Sequence, residues 1–227
     1  MKKVLCLVLC LVCLFAFSAV GLAETTSEDF LSKVQGTFVE LFPELSKDEY
    51  HETWVEAVTP LVGAENADET ISMLLSMCMA DKYGEEAITA YTEDPESMRF
   101  DCYYLGGVKK MTIEGNTISG VDADGNEVFR HTYSPMNLEN ENGFFFYQTE
   151  DADAGQFTYF AFSPDTMEDT WHLEFRYAEK VEDLMSWFEG AYAYWNVGAI
   201  AEDYTEEQIL AAINLFCVEN LSEEEAE

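Results

Sequence analysis

The sequence predicts a mainly β protein with flanking helices, built as an antiparallel β-barrel with a helical cap. Hydrophobic residues make up 48% of the 227-residue chain and aromatic residues 14%, which is enough for one core of ordinary size. Between residues 98 and 177, apolar and polar residues alternate in short segments that Gly, Asn and Asp separate. On either side of this region the apolar residues follow the spacing of amphipathic helices.

The alternating region contains seven candidate strands, which indicates a meander of neighbouring antiparallel strands. They cover residues 98–104, 108–114, 117–121, 127–133, 143–149, 156–163 and 170–177. Residues 36–42 have the same character and would add an eighth strand that closes a small barrel.

Helices are expected before and after the strands. The early ones are residues 47–62, with Ser46 as the N-cap, then residues 67–82 and a short helix at residues 85–91. After the strands, helices are expected at residues 180–189 and 205–220. An aromatic run at residues 192–198 lies between these two helices.

Residues 1–23 have the pattern of a cleaved secretion signal. Lys2 and Lys3 precede an apolar run that ends near Val20, and small residues follow at the positions that a signal peptidase requires. The run is shorter than the roughly 20 residues that span a bilayer, so cleavage is favoured over the alternative of an uncleaved anchor. The expected protein is therefore secreted or periplasmic, without membrane contact after cleavage. Its predicted parts are a signal peptide (1–23), a barrel domain (24–221) and a disordered acidic tail (222–227).

The chain is strongly acidic. It has 45 acidic and 11 basic residues, which give a formal net charge of −34. A field of this sign repels nucleic acid and anionic membranes, so neither is expected as a partner. The same field concentrates cations near the surface, although solubility alone is a sufficient reason for the composition.

The sequence has neither a cysteine pattern nor a catalytic motif that would indicate an enzyme. After signal cleavage Cys78, Cys102 and Cys217 remain, at spacings that match no redox or metal motif. An oxidising compartment permits one disulfide, but burial as small apolar side chains is the favoured interpretation. The sequence has no nucleophile elbow, phosphate-binding glycine loop or metalloprotease helix. A binding protein without catalytic residues is therefore expected.

Three potential metal ligands lie near the end of the strand region. If residues 171–177 form a strand, His172, Glu174 and Arg176 share one face because side chains alternate along a strand. An imidazole and a carboxylate at this spacing can bind one divalent ion, and Asp165 would complete a three-residue platform with water in the fourth position. In the opposing interpretation, Arg176 pairs with Glu174 in an ordinary ion pair.

These residues resemble the ligand motif of the ZinT/YodA family of secreted zinc-binding proteins. That motif reads Phe-Ser-Asp-His and, after a short loop, His-x-His. Phe162-Ser163 is similar to its start, Asp165 falls at or beside its first histidine, and His172 and Glu174 fall on the His-x-His pair. Further similar segments extend the resemblance over most of residues 36–217.

The resemblance implies a calycin-like or lipocalin-like barrel that binds zinc, or another divalent cation such as manganese, through Asp165, His172 and Glu174. It also implies a role in supplying or buffering metal for uptake, with the metal ion and a metal-uptake transporter as partners. Because two family histidines are replaced by carboxylates, the site is expected to be harder, to bind zinc more weakly and to be less selective for it.

A second hypothesis keeps the barrel but not the metal. In it the protein binds a small molecule or another protein through an aromatic-lined mouth. The rings that would line this mouth are those of Tyr103, Tyr104, Phe144, Phe146 and Tyr192, although packing in the core is the favoured interpretation of each.

Overall fold

Nine strands and six helices make up the part of the chain that the structure describes. A computed structural model describes residues 27–78, 104–138, 140, 143–164, 172–186 and 197–221. The strands are β1 (Gly36–Glu40), β2 (Lys110–Glu114), β3 (Thr117–Val121), β4 (Glu127–Thr132), β5 (Ser134–Met136), β6 (Phe145–Gln148), β7 (Tyr159–Phe162), β8 (His172–Ala178) and β9 (Val197–Ala201). The helices are α1 (Ser27–Lys33), α2 (Leu41–Leu45), α3 (His51–Val62), α4 (Ala67–Cys78), α5 (Val181–Ser186) and α6 (Glu206–Leu221). Short 3₁₀ turns lie at Asp48–Tyr50 and Gly155–Phe157.

All nine strands belong to one antiparallel sheet, in the order β4-β3-β2-β1-β9-β8-β7-β6-β5. β1 lies between β2 and β9, so the first and last of the described strands are neighbours near the middle of the sheet. In the same way β8 lies between β7 and β9, with Phe175 opposite Phe162 on one side and Val197 on the other.

The sheet curls into a nearly closed barrel because its two edge strands, β4 and β5, are separated in the chain by Tyr133 alone. The N–H of Tyr133 donates to the carbonyl oxygen of Asn116 at 2.8 Å. The hydroxyl of Tyr133 donates to the carbonyl oxygen of Phe157 at 2.5 Å. Phe129 stacks on Phe157 with ring centroids 3.9 Å apart. The two contacts with Phe157 tie the β4 edge to the turn that precedes β7.

Aromatic side chains fill the barrel interior. Phe160 is fully buried, and its ring centroid lies within 6.1 Å of the ring centroids of Phe129, Tyr133, Phe162, Phe175 and Tyr177. Burying one such side chain contributes about 1.5–3 kcal/mol. The interior is therefore a packed core, and it supplies much of the stability of the barrel.

The outer wall carries two further apolar clusters. The cap cluster joins α2, α3, α4 and α6 to the outer side of β9, and it consists of Leu41, Phe42, Leu45, Trp54, Val58, Ala67, Ile71, Leu74, Ile200, Ile209, Ala212, Ile213 and Cys217. The α5 cluster covers β6, β7 and β8, and it consists of Phe144, Phe146, Ala161, Ala178 and Leu184. None of the helices in the described ranges is long and apolar enough to cross a membrane.

The predicted barrel with a helical cap is confirmed. Six of the seven predicted meander strands, the opening strand and four of the five predicted helices have counterparts, with some ends displaced. The predicted strand at residues 98–104 lies outside the described residues except for Tyr104, which is in no strand. The predicted helix at residues 85–91 also lies outside them, as do the predicted signal peptide and the acidic tail. Cys217 is buried as expected, and burial raises the pKa of its thiol to about 11.

β9 is not predicted from the sequence, and it begins at the last two residues of the aromatic run at 192–198. The sequence Val-Gly-Ala-Ile-Ala has two β-branched residues, but its other three are Gly and Ala, which are depleted in strands. β9 is a strand because β1 and β8 pair with it on both sides and its first four residues are buried. Tertiary pairing overrides weak local propensity here.

The expectations for residues 41–46 are wrong. β1 ends at Glu40, and Leu41 begins the short helix α2, in which Pro43 occupies the first turn, where its missing N–H costs no hydrogen bond. Ser46 is the C-cap of α2, and its hydroxyl donates to the carbonyl oxygen of Pro43 at 3.1 Å. It does not cap α3.

A buried carboxylate anchors the chain segment that leads into β2. Glu40 is 8% exposed, its Oε1 accepts the backbone N–H of Tyr104 at 3.1 Å, and its Oε2 accepts from Lys109 Nζ at 3.0 Å. The hydroxyl of Tyr177 donates to the carbonyl oxygen of Leu105 at 2.8 Å. Residues 104–109 are therefore fixed to the barrel wall at three points.

We expect the substitution Glu40→Ala to lower the free energy of unfolding by about 1–3 kcal/mol, since it leaves a buried N–H without its acceptor. The matched control is Glu202→Ala. Glu202 pairs with Lys110, but both side chains are 47% exposed, so this loss should stay below about 1 kcal/mol. Urea denaturation of the two variants measures the difference, and equal losses would contradict the anchoring role.

We also expect Gly120→Ala to destabilise the barrel by about 1–3 kcal/mol, as overpacking of a core does. A Cβ at this position would lie 2.4 Å from Cε1 of Phe129, whose ring cannot retreat because it stacks on Phe157. Denaturant unfolding of the single variant and of the double variant with Phe129→Leu tests the cause. The smaller side chain should remove part of the cost, and strictly additive losses would exclude the clash as the reason.

Candidate functional site

The side chains of β8 alternate between the barrel interior and the outer wall, as the sequence predicts. Leu173, Phe175 and Tyr177 belong to the interior core. His172, Glu174 and Arg176 therefore lie on the outer face. These three residues form the outer row of β8. The structure therefore places the predicted ligands His172 and Glu174 on the same side of one strand.

The outer row lies between the two outer clusters. On the β9 side, His172 is opposite Ile200 of the cap cluster, and Glu174 is opposite Gly198. A Cβ on Gly198 would lie 3.2 Å from Cε2 of Phe42, so α2 packs directly over the strand beside Glu174. On the β7 side, Arg176 is opposite Ala161 of the α5 cluster.

The side chains of the outer row are more buried than side chains that face solvent on a strand usually are. His172 is 6% exposed, Glu174 is partly buried, and Arg176 is fully buried. Because Arg176 is fully buried, it cannot form an ordinary surface ion pair with Glu174, which is what the opposing interpretation predicts. A guanidinium at this depth places a positive charge near the two candidate ligands, where the low dielectric makes its field stronger than in water.

The pairing of β7 with β8 continues beyond the end of β7. Phe162 lies opposite Phe175, and the N–H of Ser163 then donates to the carbonyl oxygen of Glu174 at 2.8 Å. Ser163 is 1% exposed. The chain that leads to Asp165 therefore leaves β7 next to Glu174. Asp165 itself lies outside the described residues.

Within the described ranges, no three His, Cys, Asp or Glu side chains form a group that could hold a metal ion. This leaves the predicted set of Asp165, His172 and Glu174 open, because one member lies outside those ranges. The other two histidines have different partners. His51 lies 3.8 Å from Asp68 at an exposed position, and His131 Nδ1 lies 2.9 Å from Asp151 Oδ2 beside the β4 edge.

The aromatic mouth of the second hypothesis does not form from the rings that the structure describes. Tyr104 belongs to the interior core, whereas Phe144 and Phe146 belong to the α5 cluster on the outer wall. These rings lie on opposite sides of the sheet and cannot line one pocket. Tyr103 and Tyr192 lie outside the described residues.

Sequence reasoning missed the buried charges of this barrel. Glu40 is the single acid in the run from Thr37 to Pro43, and an acid isolated in an apolar run is the signal that could have indicated a buried carboxylate. Arg176 has no comparable signal, because the alternation of β8 predicts an outward-facing residue there without showing what covers it. Both charges become buried because helices or chain segments cover the strand faces that carry them.

Comparison with known proteins identifies the fold. No protein-family model matches the sequence, and no curated protein matches it either. The crystal structure of the Zn(II)-bound ZinT-like domain of Streptococcus pneumoniae AdcA aligns with 87% of this chain and 94% of its own length, with a TM-score of 0.51 and 18% sequence identity. The crystal structure of Zn(II)-bound AdcA from the same organism aligns with 81% of this chain and 35% of its own length, with a TM-score of 0.46 and 19% identity. The chain has the fold of a ZinT-like domain.

Proposed function

We propose that this protein binds a divalent metal ion outside the cytoplasm, with zinc as the first candidate. The observation that carries the proposal is the placement of His172 and Glu174 on one face of β8, in a barrel with the fold of a Zn(II)-bound ZinT-like domain. We assign no catalytic residue, and binding is the whole of the proposed activity.

The two described donors suit a divalent cation. Zinc accepts imidazole nitrogen and carboxylate oxygen, at about 2.0–2.2 Å from the metal. Residues two apart on a strand are about 6.6 Å apart along it, so both side chains can reach one ion between them. The burial of His172 also limits the competition from bulk water at the imidazole.

We propose Asp165 as the third ligand. The register that places Phe162 opposite Phe175, and Ser163 opposite Glu174, would place position 165 opposite His172 if it continued for two more residues. Alternation along the strand would then direct Asp165 to the same side as the other two ligands. Water would supply the fourth donor.

The donor set determines the expected selectivity. Two carboxylates and one imidazole make a harder site than three imidazoles, so zinc should be favoured over manganese by a smaller margin. The buried charge of Arg176 lowers the affinity for zinc and manganese alike, so it weakens the site without changing this margin. Buffering or supplying metal is the role that fits a site of moderate affinity.

We further propose that residues 1–23 direct export and are removed, and that the mature protein passes its metal to an uptake transporter. The pattern of Lys2, Lys3 and the following apolar run supports export. The resemblance of the ligand motif to that of secreted zinc-binding proteins supports the role in uptake.

Calorimetric titration of the metal-free mature chain with zinc and with manganese tests the site. We expect one zinc ion per chain, and His172→Ala should weaken zinc binding by at least about tenfold, since it removes a ligand. Asp165→Asn and Glu174→Gln should weaken it as well. The control His51→Ala removes an exposed histidine on α3 and should leave the affinity unchanged.

Two results would contradict the proposal. Failure of the wild type to bind either ion with a dissociation constant below about 100 μM would exclude a metal-binding function. If the wild type binds but His172→Ala and His51→Ala bind equally well, the metal site lies elsewhere in the chain.

A further inference from the structure

The hydroxyl of Tyr104 is an exception among the tyrosines inside the barrel. Tyr104 is 5% exposed, and its Oη has no hydrogen-bond partner among the groups that the structure describes. The other three tyrosines that the structure describes in the interior are bonded: Tyr133 donates to Phe157, Tyr147 accepts from the N–H of Leu31 at 3.3 Å, and Tyr177 donates to Leu105. A buried hydroxyl without a partner costs about as much as a lost hydrogen bond.

Tyr104 cannot relieve this cost by turning outward. Its backbone N–H is held by Glu40, and its neighbour Leu105 is held by the hydroxyl of Tyr177 through both its N–H and its carbonyl oxygen. The ring lies 5.8 Å from that of Phe175, centroid to centroid, inside the interior core. The position of the hydroxyl in the core is therefore imposed by the anchored segment 104–109.

The surroundings define what could bind there. Burial raises the pKa of Tyr104 well above its ordinary value, and the nearby Tyr177 and Glu40 raise it further, so the phenol remains protonated and can donate. The carboxylate of Glu40 disfavours an anion at this place. Ala199, which lies opposite Glu40 in β9, is a small side chain on the same interior face. A suitable guest is therefore small and uncharged, and it accepts a hydrogen bond.

We propose that the barrel interior beside Tyr104 is a binding position for one tightly held water molecule, which accepts the hydrogen bond of the Tyr104 hydroxyl. Water is small and uncharged and accepts a hydrogen bond, so it meets each of these requirements. This site lies inside the barrel, whereas the proposed metal ligands lie outside it. The two proposals are therefore independent of each other.

The first test measures, in the mature chain, whether Tyr104→Phe raises or lowers the equilibrium constant of unfolding. If Tyr104 holds a water, Tyr104→Phe removes a satisfied hydrogen bond and should raise the equilibrium constant of unfolding about fivefold. If the hydroxyl is unpaired, the same change should lower that constant. Tyr133→Phe is the matched control, because it removes a direct hydrogen bond and should raise the constant in either case.

The second test is a high-resolution crystal structure of the wild type and of Tyr104→Phe. A peak of density about 2.7–2.8 Å from Tyr104 Oη is expected in the wild type and should be missing from the variant. The absence of this peak in the wild type overturns the proposal whatever the stability result. A Phe variant as stable as the wild type, or more stable, overturns it as well.

Discussion

The packing of aromatic rings inside the barrel is the constraint on which the rest of the structure depends. Phe160, Phe162, Phe175 and Tyr177 come from two neighbouring strands and face the same interior. A strand has only two faces, so once one set of side chains fills the core, the intervening residues must lie on the outer wall. The position of His172 and Glu174 is thus a consequence of interior packing.

The helices then determine how exposed that outer wall is. α2 follows β1 directly and packs over Gly198, while α5 follows β8 and packs over the neighbouring strands through Leu184. The strip between them carries polar side chains in apolar surroundings. Such a strip keeps bulk water away from any ion or ligand held there, which strengthens electrostatic interactions of both signs. The burial that strengthens the attraction between Glu174 and a cation therefore also strengthens the repulsion between Arg176 and that cation.

Much of the barrel could be predicted from the sequence because most of its strands carry their own signal. In β8 each polar residue stands between apolar ones, so both the strand and its two faces follow from the alternation alone. β9 carries a weaker signal, since three of its five residues are Gly or Ala, and it becomes a strand through its two partners. The alternation in β8 also predicts that His172 and Glu174 lie on the same face of the strand. The burial of Arg176 was not predictable, because it depends on how the helices pack over the outer wall, which the alternation of β8 does not reveal.

The junction at Tyr133 has a mechanical consequence. The line where the barrel closes is crossed by a peptide bond and a few side-chain contacts, among them the stacked Phe129 and Phe157, while the described strands elsewhere are joined by ladders of backbone hydrogen bonds. Fewer bonds must break to part the wall there than anywhere else along the described sheet. Thermal fluctuations that loosen the barrel without unfolding it should therefore begin at this line, on the side away from β8, and leave the wall around the candidate ligands intact.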